Sequence, residues 1–248
     1  MIKIKTPAEI DKMREANRMV ARVLESIAGE VAPGVTTAAL NEKAEAMCRE
    51  FGVKPAFKGY GGFPFALCCS VNEQVVHGFP NGTPLQEGDI LSVDFGVIYD
   101  GFYGDAAKTL PVGRVSEEAA RLMEATKASL QAGIDMMRPG SRLGDVSHAV
   151  QKVAEAAGFS VVRQFVGHGI GRALHEEPQL PNYGNPGRGL QLKPGMVIAI
   201  EPMVNAGGFE VRVLDDGWTA VTVDGKLSAH FEHSVAITQD GPRVLSLP

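Results

Sequence analysis

Two aspartates on a predicted hairpin are the first residues in this chain that could carry chemistry. Residues 100–101 read Asp-Gly, a standard two-residue turn between the strand-like segments 90–99 and 102–110. The register set by this turn puts Asp94 and Asp105 on one face as diagonal neighbours, roughly 7–8 Å apart at the backbone. They lie either on a solvated strand face or around a metal ion. The apolar residues flanking Asp94 favour the metal, because a buried carboxylate must be neutralised, paired or coordinated.

Two glutamates in other strand-like segments could likewise lie either on a solvated strand face or at a metal site. Glu201 ends an apolar run and precedes Pro202, which removes a ladder hydrogen bond and predicts a sheet edge or a bulge. Glu232 follows His230 at a spacing of two, so these two share a strand face and His233 lies on the other. Taken alone, Glu232 also fits an ordinary surface position.

Three histidines stand in settings that suit a functional site. His168 lies between two glycines, which let the backbone approach closely, although a lone histidine is equally compatible with a structural role. His175 precedes two glutamates, and His77 ends a predicted strand. A set of carboxylates with one imidazole suits Mn, Fe(II), Co or Zn in a paired site, which can activate one water.

Helices with one apolar face must position these residues. Thr6 and Glu9 form a predicted capping box at the start of the first helix. Apolar residues recur at helical spacing in four segments. The predicted helices cover about 6–31, 36–52, 116–137 and 143–158.

The helix pairs and the strands that follow them repeat along the chain. Pro-Gly pairs at 33–34 and 139–140 end the first helix of each pair and are 106 residues apart. Segment 88–94 lines up with segment 195–201 at a shift of 107. This register predicts an internal duplication, with chance similarity of helix-loop-helix segments as the alternative.

In a duplicated chain, Asp94 and Glu201 occupy equivalent places and meet where the halves join. We therefore expect one domain over 1–248 with halves of about 1–114 and 115–248. Turn residues between the strands indicate antiparallel hairpins with segregated helices, which is an α+β architecture with a curved sheet covered by helices. The predicted strands cover 67–71, 90–99, 102–110, 161–166, 196–204, 210–214, 218–223 and 228–237.

Composition narrows the class of protein. The chain has 248 residues, 44% of them apolar, and a net charge of -5, which gives no basic footprint for nucleic acid. The N-terminus has no apolar segment typical of a secretory signal, and no 18-residue apolar run predicts a membrane span. Three cysteines, two of them adjacent, argue against a disulfide framework and indicate a reducing cytoplasm.

Five motifs give the sequence a family resemblance over about residues 3 to 240. In their order and spacing they resemble the type I methionine aminopeptidases, in the compact bacterial form. The motifs are Ser-Val-Asn-Glu-Gln-Val-Val-His-Gly, Val-Asp-Phe-Gly-Val with Asp-Gly-Phe-Tyr-Gly-Asp, Gly-His-Gly-Ile-Gly with Leu-His-Glu-Glu-Pro, Ile-Glu-Pro-Met-Val and Phe-Glu-His-Ser-Val.

The resemblance implies the duplicated "pita-bread" fold and a site for two divalent metal ions. Asp94 would chelate one metal, His168 and Glu201 would bind the other, and Asp105 and Glu232 would bridge them. The ions would be Mn, Fe(II), Co or Zn.

The resemblance also implies the reaction, in which a metal-activated water attacks the first peptide bond. Glu201 would accept a proton, His175 would contact the substrate carbonyl, and His77 would contact the scissile amide. An apolar pocket would hold the methionine side chain, although ordinary core packing explains its residues almost as well. The pocket residues would be Tyr60, Phe63, Cys68 and Trp218.

The expected substrate is the initiator methionine of nascent proteins, removed by a cytoplasmic monomer that could meet its substrate at the ribosome. A proline-directed peptidase of the same fold is one alternative, although such enzymes usually carry an extra N-terminal domain. A catalytically silent relative that binds peptide or metal is another. Such relatives commonly lose ligands, whereas all five ligand positions and both histidines are present here.

Overall fold

The computed structural model describes residues 2–248, which form four α-helices and fifteen short strands. The helices are α1 (Pro7–Ala28), α2 (Thr37–Phe51), α3 (Glu117–Asp135) and α4 (Leu143–Ala156). The strands are β1 (Lys54–Pro55), β2 (Leu67–Val71), β3 (Gln74–Val76), β4 (Ile90–Tyr99), β5 (Phe102–Pro111), β6 (Ser160–Val161), β7 (Gly167–Gly169), β8 (Glu176–Leu180), β9 (Val197–Ile200), β10 (Met203–Asn205), β11 (Val211–Val213), β12 (Ala220–Thr222), β13 (Ser228–His230), β14 (Glu232–Thr238) and β15 (Gly241–Val244).

The helices begin where their capping residues predict. Thr6 caps α1, and its capping box with Glu9 is formed in both directions. α2 ends at Phe51, and the capping residue after it, Gly52, adopts a left-handed conformation with φ 67°. α1 ends at Ala28, three residues before the predicted end. Among the helices of residues 2–248, none combines the length and apolar character that crossing a bilayer requires.

The strands pair antiparallel in one large sheet and two small ones. In the part of the chain that is described, the large sheet contains nine strands in the order β1-β4-β5-β14-β9-β7-β8, with β2 also on β4 and β15 also on β14. β4 and β5 form the predicted hairpin, in which Asp94 pairs with Ala107 and Gly96 pairs with Asp105. The predicted register of this hairpin is confirmed.

Alternation along β4 and β5 determines which way the two aspartates point. Val93, Phe95 and Ala106 belong to the core formed with α1 and α2. Since successive side chains of a strand point to opposite faces, Asp94 and Asp105 project from the face that is turned away from these helices. The helices therefore cover one face of the sheet, and the other face carries the acidic residues.

Three predicted strands are interrupted in the structure, and the prediction of continuous strands was wrong there. Segment 196–204 breaks at residues 201–202, and segment 228–237 breaks at Phe231. At each break the chain passes between the large sheet and the small sheet β13-β10-β6. Segment 161–166 leaves the small sheet after Val161 and continues without regular structure until β7. Glu201 and Glu232 thus lie at crossings between sheets.

The two helix pairs are tied to the following strands by matching hydrogen bonds. The Gly34 N–H donates to the Leu85 carbonyl at 2.8 Å, and the Gly140 N–H donates to the Leu192 carbonyl at 3.1 Å. These contacts are related by the shifts of 106 and 107 residues found in the sequence. They support the predicted halves of about 1–114 and 115–248, although that division stays a prediction.

Candidate active site

One cavity of about 140 Å³ lies on the sheet face turned away from α1 and α2. All eleven residues singled out from the sequence line it, although they come from distant parts of the chain. The sequence-predicted residues on its wall are Tyr60, Phe63, Cys68, His77, Asp94, Asp105, His168, His175, Glu201, Trp218 and Glu232.

The acidic half of the cavity brings potential metal ligands together. Asp105, His168 and Glu232 each offer one ligand atom, and these atoms lie within 4.8 Å of one another. Nε2 of His168 lies 3.4 Å from Oε1 of Glu201 and 3.9 Å from Oδ2 of Asp105. Asp94, from the neighbouring strand, completes the acidic wall.

These carboxylates lack the partners that buried charges need. Oδ1 of Asp94, Oδ1 of Asp105 and Oε1 of Glu232 are buried and find no hydrogen-bond partner anywhere in residues 2–248. Burial raises the pKa of Asp94 to about 7, and burial with the neighbouring carboxylates raises the pKa of Asp105 and of Glu232 well above the usual range. Burial and the charge of Asp94 raise the pKa of Glu201 likewise. Unpaired oxygens in an acidic cluster fit a cation between them.

The hydrogen bond of His168 leaves one of its nitrogens free to bind a metal. Nδ1 of His168 lies 3.0 Å from the carbonyl oxygen of Gly169. A carbonyl only accepts, so in the neutral ring Nδ1 carries the hydrogen and Nε2, the atom nearest Glu201, keeps its lone pair. Burial lowers the pKa of His168 to about 4, which keeps the ring neutral near pH 7. This is the state that coordinates a metal.

The other half of the cavity is aromatic and apolar. Phe63 packs edge-on against Trp218, with ring centroids 5.2 Å apart and an interplanar angle of 70°. Cys68 pairs directly with Asp94 across β2 and β4, so both project from the same face. The apolar half is therefore continuous with the acidic half.

His77 and His175 lie at the boundary between the acidic half and the aromatic half of the cavity. His77 directly follows β3 in a left-handed conformation, with φ 61°, and its ring meets Trp218 edge-on. Burial and the neighbouring His175 lower the pKa of His77 to about 4. Partial burial also lowers the pKa of His175, whose ring contacts His168 with centroids 4.3 Å apart. Both are neutral hydrogen-bonding groups near pH 7.

Comparison with known proteins agrees with this arrangement. Residues 11–239 match the model of metallopeptidase family M24. The chain belongs to that family. It is 52% identical to a methionine aminopeptidase of Clostridium perfringens, over all of this chain and 99% of that protein. The crystal structure of a methionine aminopeptidase from Thermotoga maritima superposes with a TM-score of 0.98 at 51% identity, with each chain covered completely.

A more distant M24 structure shares the fold alone. Prolidase from Pyrococcus furiosus superposes with a TM-score of 0.81 at 21% identity, over 99% of this chain and 65% of that one. The pita-bread fold and the resemblance to type I methionine aminopeptidases are therefore confirmed. The low identity to the prolidase gives no support for a proline-directed activity.

Sequence reasoning missed several residues that shape this M24 site. Phe57 and Leu174 also line the cavity, and Leu174 stands directly before His175 in a motif that was already noticed. Asn17 accepts a hydrogen bond from the Asp105 N–H at 3.2 Å. Asn182 donates to the Glu201 carbonyl at 3.0 Å. Asn17 could have been found as the polar residue on the apolar face of α1.

Proposed function

We propose that this protein is a metal-dependent methionine aminopeptidase that removes the initiator methionine from nascent proteins. The observation that carries the proposal is the continuity of an aromatic pocket with a cluster of unpaired carboxylates, joined by the Cys68–Asp94 pair. The cavity of about 140 Å³ includes both halves, and its aromatic wall offers an apolar side chain a place beside the acids. The bond to be cut would then lie beside the acids.

The proposed metal site holds two divalent ions, Mn, Fe(II), Co or Zn, on five ligands. Three unpaired buried oxygens and the free Nε2 of His168 support this set. Bound divalent ions supply Lewis acidity and lower the pKa of water. The proposed ligands are Asp94, Asp105, His168, Glu201 and Glu232.

The remaining roles are those that the resemblance to methionine aminopeptidases implies. Glu201 would accept a proton and pass it to the leaving nitrogen. Neutral His175 would donate a hydrogen bond to the substrate carbonyl oxygen, where negative charge develops. His77 would contact the scissile amide. Tyr60, Phe63, Cys68 and Trp218 would enclose the methionine side chain, with weak discrimination among similar apolar side chains.

The proposal extends to where the enzyme works. The three cysteines are buried and free, which suits a reducing cytoplasm. The substrate would be the N-terminal peptide of a new protein, met as it emerges at the ribosome, and the enzyme would act as a monomer. Small residues after methionine, such as Gly, Ala or Ser, are the expected preference.

A peptide assay on metal-stripped protein tests the proposed activity. The substrates are Met-Ala-Ser and Ala-Pro-Ala, with Mn, Fe(II), Co or Zn returned one at a time. Release of methionine only after metal return supports the proposal and ranks the metals. Cleavage before proline would assign the chain to the proline-directed peptidases. Binding of metal without cleavage of either peptide would make it a silent relative.

Substitution of two proposed ligands tests the assigned site. Asp94→Asn and Glu201→Gln are expected to abolish turnover, because each removes a ligand charge without changing side-chain size. Circular dichroism should show an unchanged fold. The exposed Asp215→Asn is the matched control and should keep wild-type turnover. Near-normal activity in either ligand variant would overturn the metal assignment.

A further inference from the structure

Tyr60 makes a contact that lining a pocket does not explain. Its hydroxyl lies 2.7 Å from Nδ1 of His175, and the two ring centroids are 5.3 Å apart. Tyr60 is 41% exposed at the cavity mouth, whereas Phe63 on the same wall is 3% exposed. A residue that only enclosed an apolar side chain would have little use for this hydroxyl.

The partner of one imidazole nitrogen decides what the other nitrogen can do, because a neutral ring has one N–H and one lone pair. At His168 the partner is the Gly169 carbonyl, which only accepts, so the lone pair stays on Nε2. At His175 the partner is a phenol, and a phenol O–H donates readily to an imidazole nitrogen. When the Tyr60 hydroxyl donates to Nδ1, the N–H of His175 lies on Nε2. The two neighbouring rings then offer opposite functions, a ligand atom and a hydrogen-bond donor.

The Tyr60 hydroxyl has a hydrogen that it can donate. Partial burial and the nearby Tyr103 raise the pKa of Tyr60, so its hydroxyl keeps its hydrogen at neutral pH. Nδ1 of His175, 2.7 Å away, is the ring nitrogen that this hydroxyl reaches.

The turn that carries Tyr60 is closed by backbone hydrogen bonds. The Gly59 N–H donates to the Phe63 carbonyl at 2.7 Å, and the Phe63 N–H donates back to the Tyr60 carbonyl at 2.9 Å. Gly59 and Gly62 have φ of 89° and 93°, a conformation that favours glycine. The turn therefore fixes the backbone from which the Tyr60 side chain reaches His175.

We propose that Tyr60 is a positioning residue that acts through His175. Its hydroxyl donates to Nδ1, fixes the rotation of the ring and keeps the N–H on Nε2, where it can stabilise the oxygen of the substrate carbonyl. The inference rests on the proposed peptidase function, in which His175 meets that oxygen. It assigns to the Tyr60 hydroxyl a role in kcat, beside the role of the Tyr60 ring in enclosing the methionine side chain.

Nuclear magnetic resonance tests the hydrogen bond without any need for turnover. Long-range ¹H–¹⁵N spectra of the Zn²⁺-loaded protein should show His175 with an unprotonated Nδ1 and a protonated Nε2. Tyr60→Phe should shift the Nδ1 resonance, and Tyr103→Phe, which removes a neighbouring hydroxyl, should not. A proton on Nδ1, or identical spectra for wild type and Tyr60→Phe, would overturn the proposal.

Kinetics separate positioning from pocket lining. Tyr60→Phe should lower kcat on Met-Ala-Ser roughly five- to tenfold, the worth of one hydrogen bond, with KM little changed. In a His175→Ala background the same substitution should have no further effect on kcat. A raised KM at constant kcat, or an equal loss of kcat with and without His175, would contradict the positioning role. If wild type releases no methionine, the peptidase proposal fails and the spectra alone decide the role of Tyr60.

Discussion

Burial acts in opposite directions on the acids and the histidines of the site. It raises the pKa of Asp94 to about 7 and lowers the pKa of His77 and His168 to about 4, because in each case it disfavours the charged form. Both effects favour uncharged side chains in the metal-free protein. A cation reverses this preference for the carboxylates and leaves the neutral histidine free to coordinate.

The raised pKa of Asp94 predicts how the metal-free protein depends on pH. A carboxyl whose folded pKa exceeds its unfolded pKa stabilises the fold below the unfolded value, about 4, and loses that contribution as pH rises through about 7. Asp94→Asn removes this term. In urea unfolding without metal, we expect the variant to gain stability relative to wild type between pH 5 and pH 8.

The comparison must be made between variants, because the buried histidines titrate with the opposite sign. Their lowered pKa values make stability rise with pH between about 3 and 6.5. That contribution is common to wild type and Asp94→Asn and cancels in the difference. Asp215→Asn should show no such pH-dependent gain. A constant difference between wild type and Asp94→Asn would mean that Asp94 is charged in the metal-free site.

The elements show what local sequence can and cannot predict. The Asp-Gly turn at 100–101 fixed the register of β4 and β5, because a two-residue turn leaves one pairing. The breaks at 201–202 and at Phe231 are different, since the chain changes sheets there and a run of apolar residues looks the same in both sheets. Pro202 predicted an irregularity but not the crossing.

The supporting hydrogen bonds of the site were not predictable from spacing alone. Asn17 and Asp105 lie 88 positions apart and meet only because α1 packs on β5. A side chain on Gly104 would come within 2.8 Å of the Asn17 backbone, so this close approach requires glycine. The aspartate that is proposed to bridge the metals is thus held by a helix that lies 88 positions earlier in the chain.

The hydrogen bonds of Asn17 connect the packing of α1 with the position of Asp105, and we expect this connection to affect metal binding. Asn17 is fully buried, donates to the Met13 carbonyl at 2.9 Å and accepts from the Asp105 N–H. Asn17→Ala leaves that N–H unpaired and loosens Asp105, so we expect Mn²⁺ affinity to fall roughly 10–100-fold in calorimetric titration. Thr126→Val, which removes a buried hydroxyl bonded only within α3, is the control and should bind normally. Equal affinities for both variants would contradict the link.

At the scale of the whole molecule, the proposed ligands come from both predicted halves. Asp94 and Asp105 precede residue 114, and His168, Glu201 and Glu232 follow it. β5 and β14 bring the two sets together, because Glu232 pairs with Ala107 across these strands. Each half alone would carry uncompensated acids, so a metal bound between them should stabilise the complete fold.

Metal binding should therefore raise the melting temperature, and a ligand from either half should be needed for the effect. A metal that binds only the folded state adds about 2.7 kcal/mol at a concentration 100 times its Kd. We expect Mn²⁺ to raise Tm progressively with concentration in wild type, and Asp94→Asn and Glu232→Gln each to lose most of the rise. The exposed Glu210→Gln should keep it. If Glu232→Gln removed the rise and both Asp94→Asn and Asp105→Asn left it intact, the metal would bind one half only, and the joining of the halves by metal would be wrong.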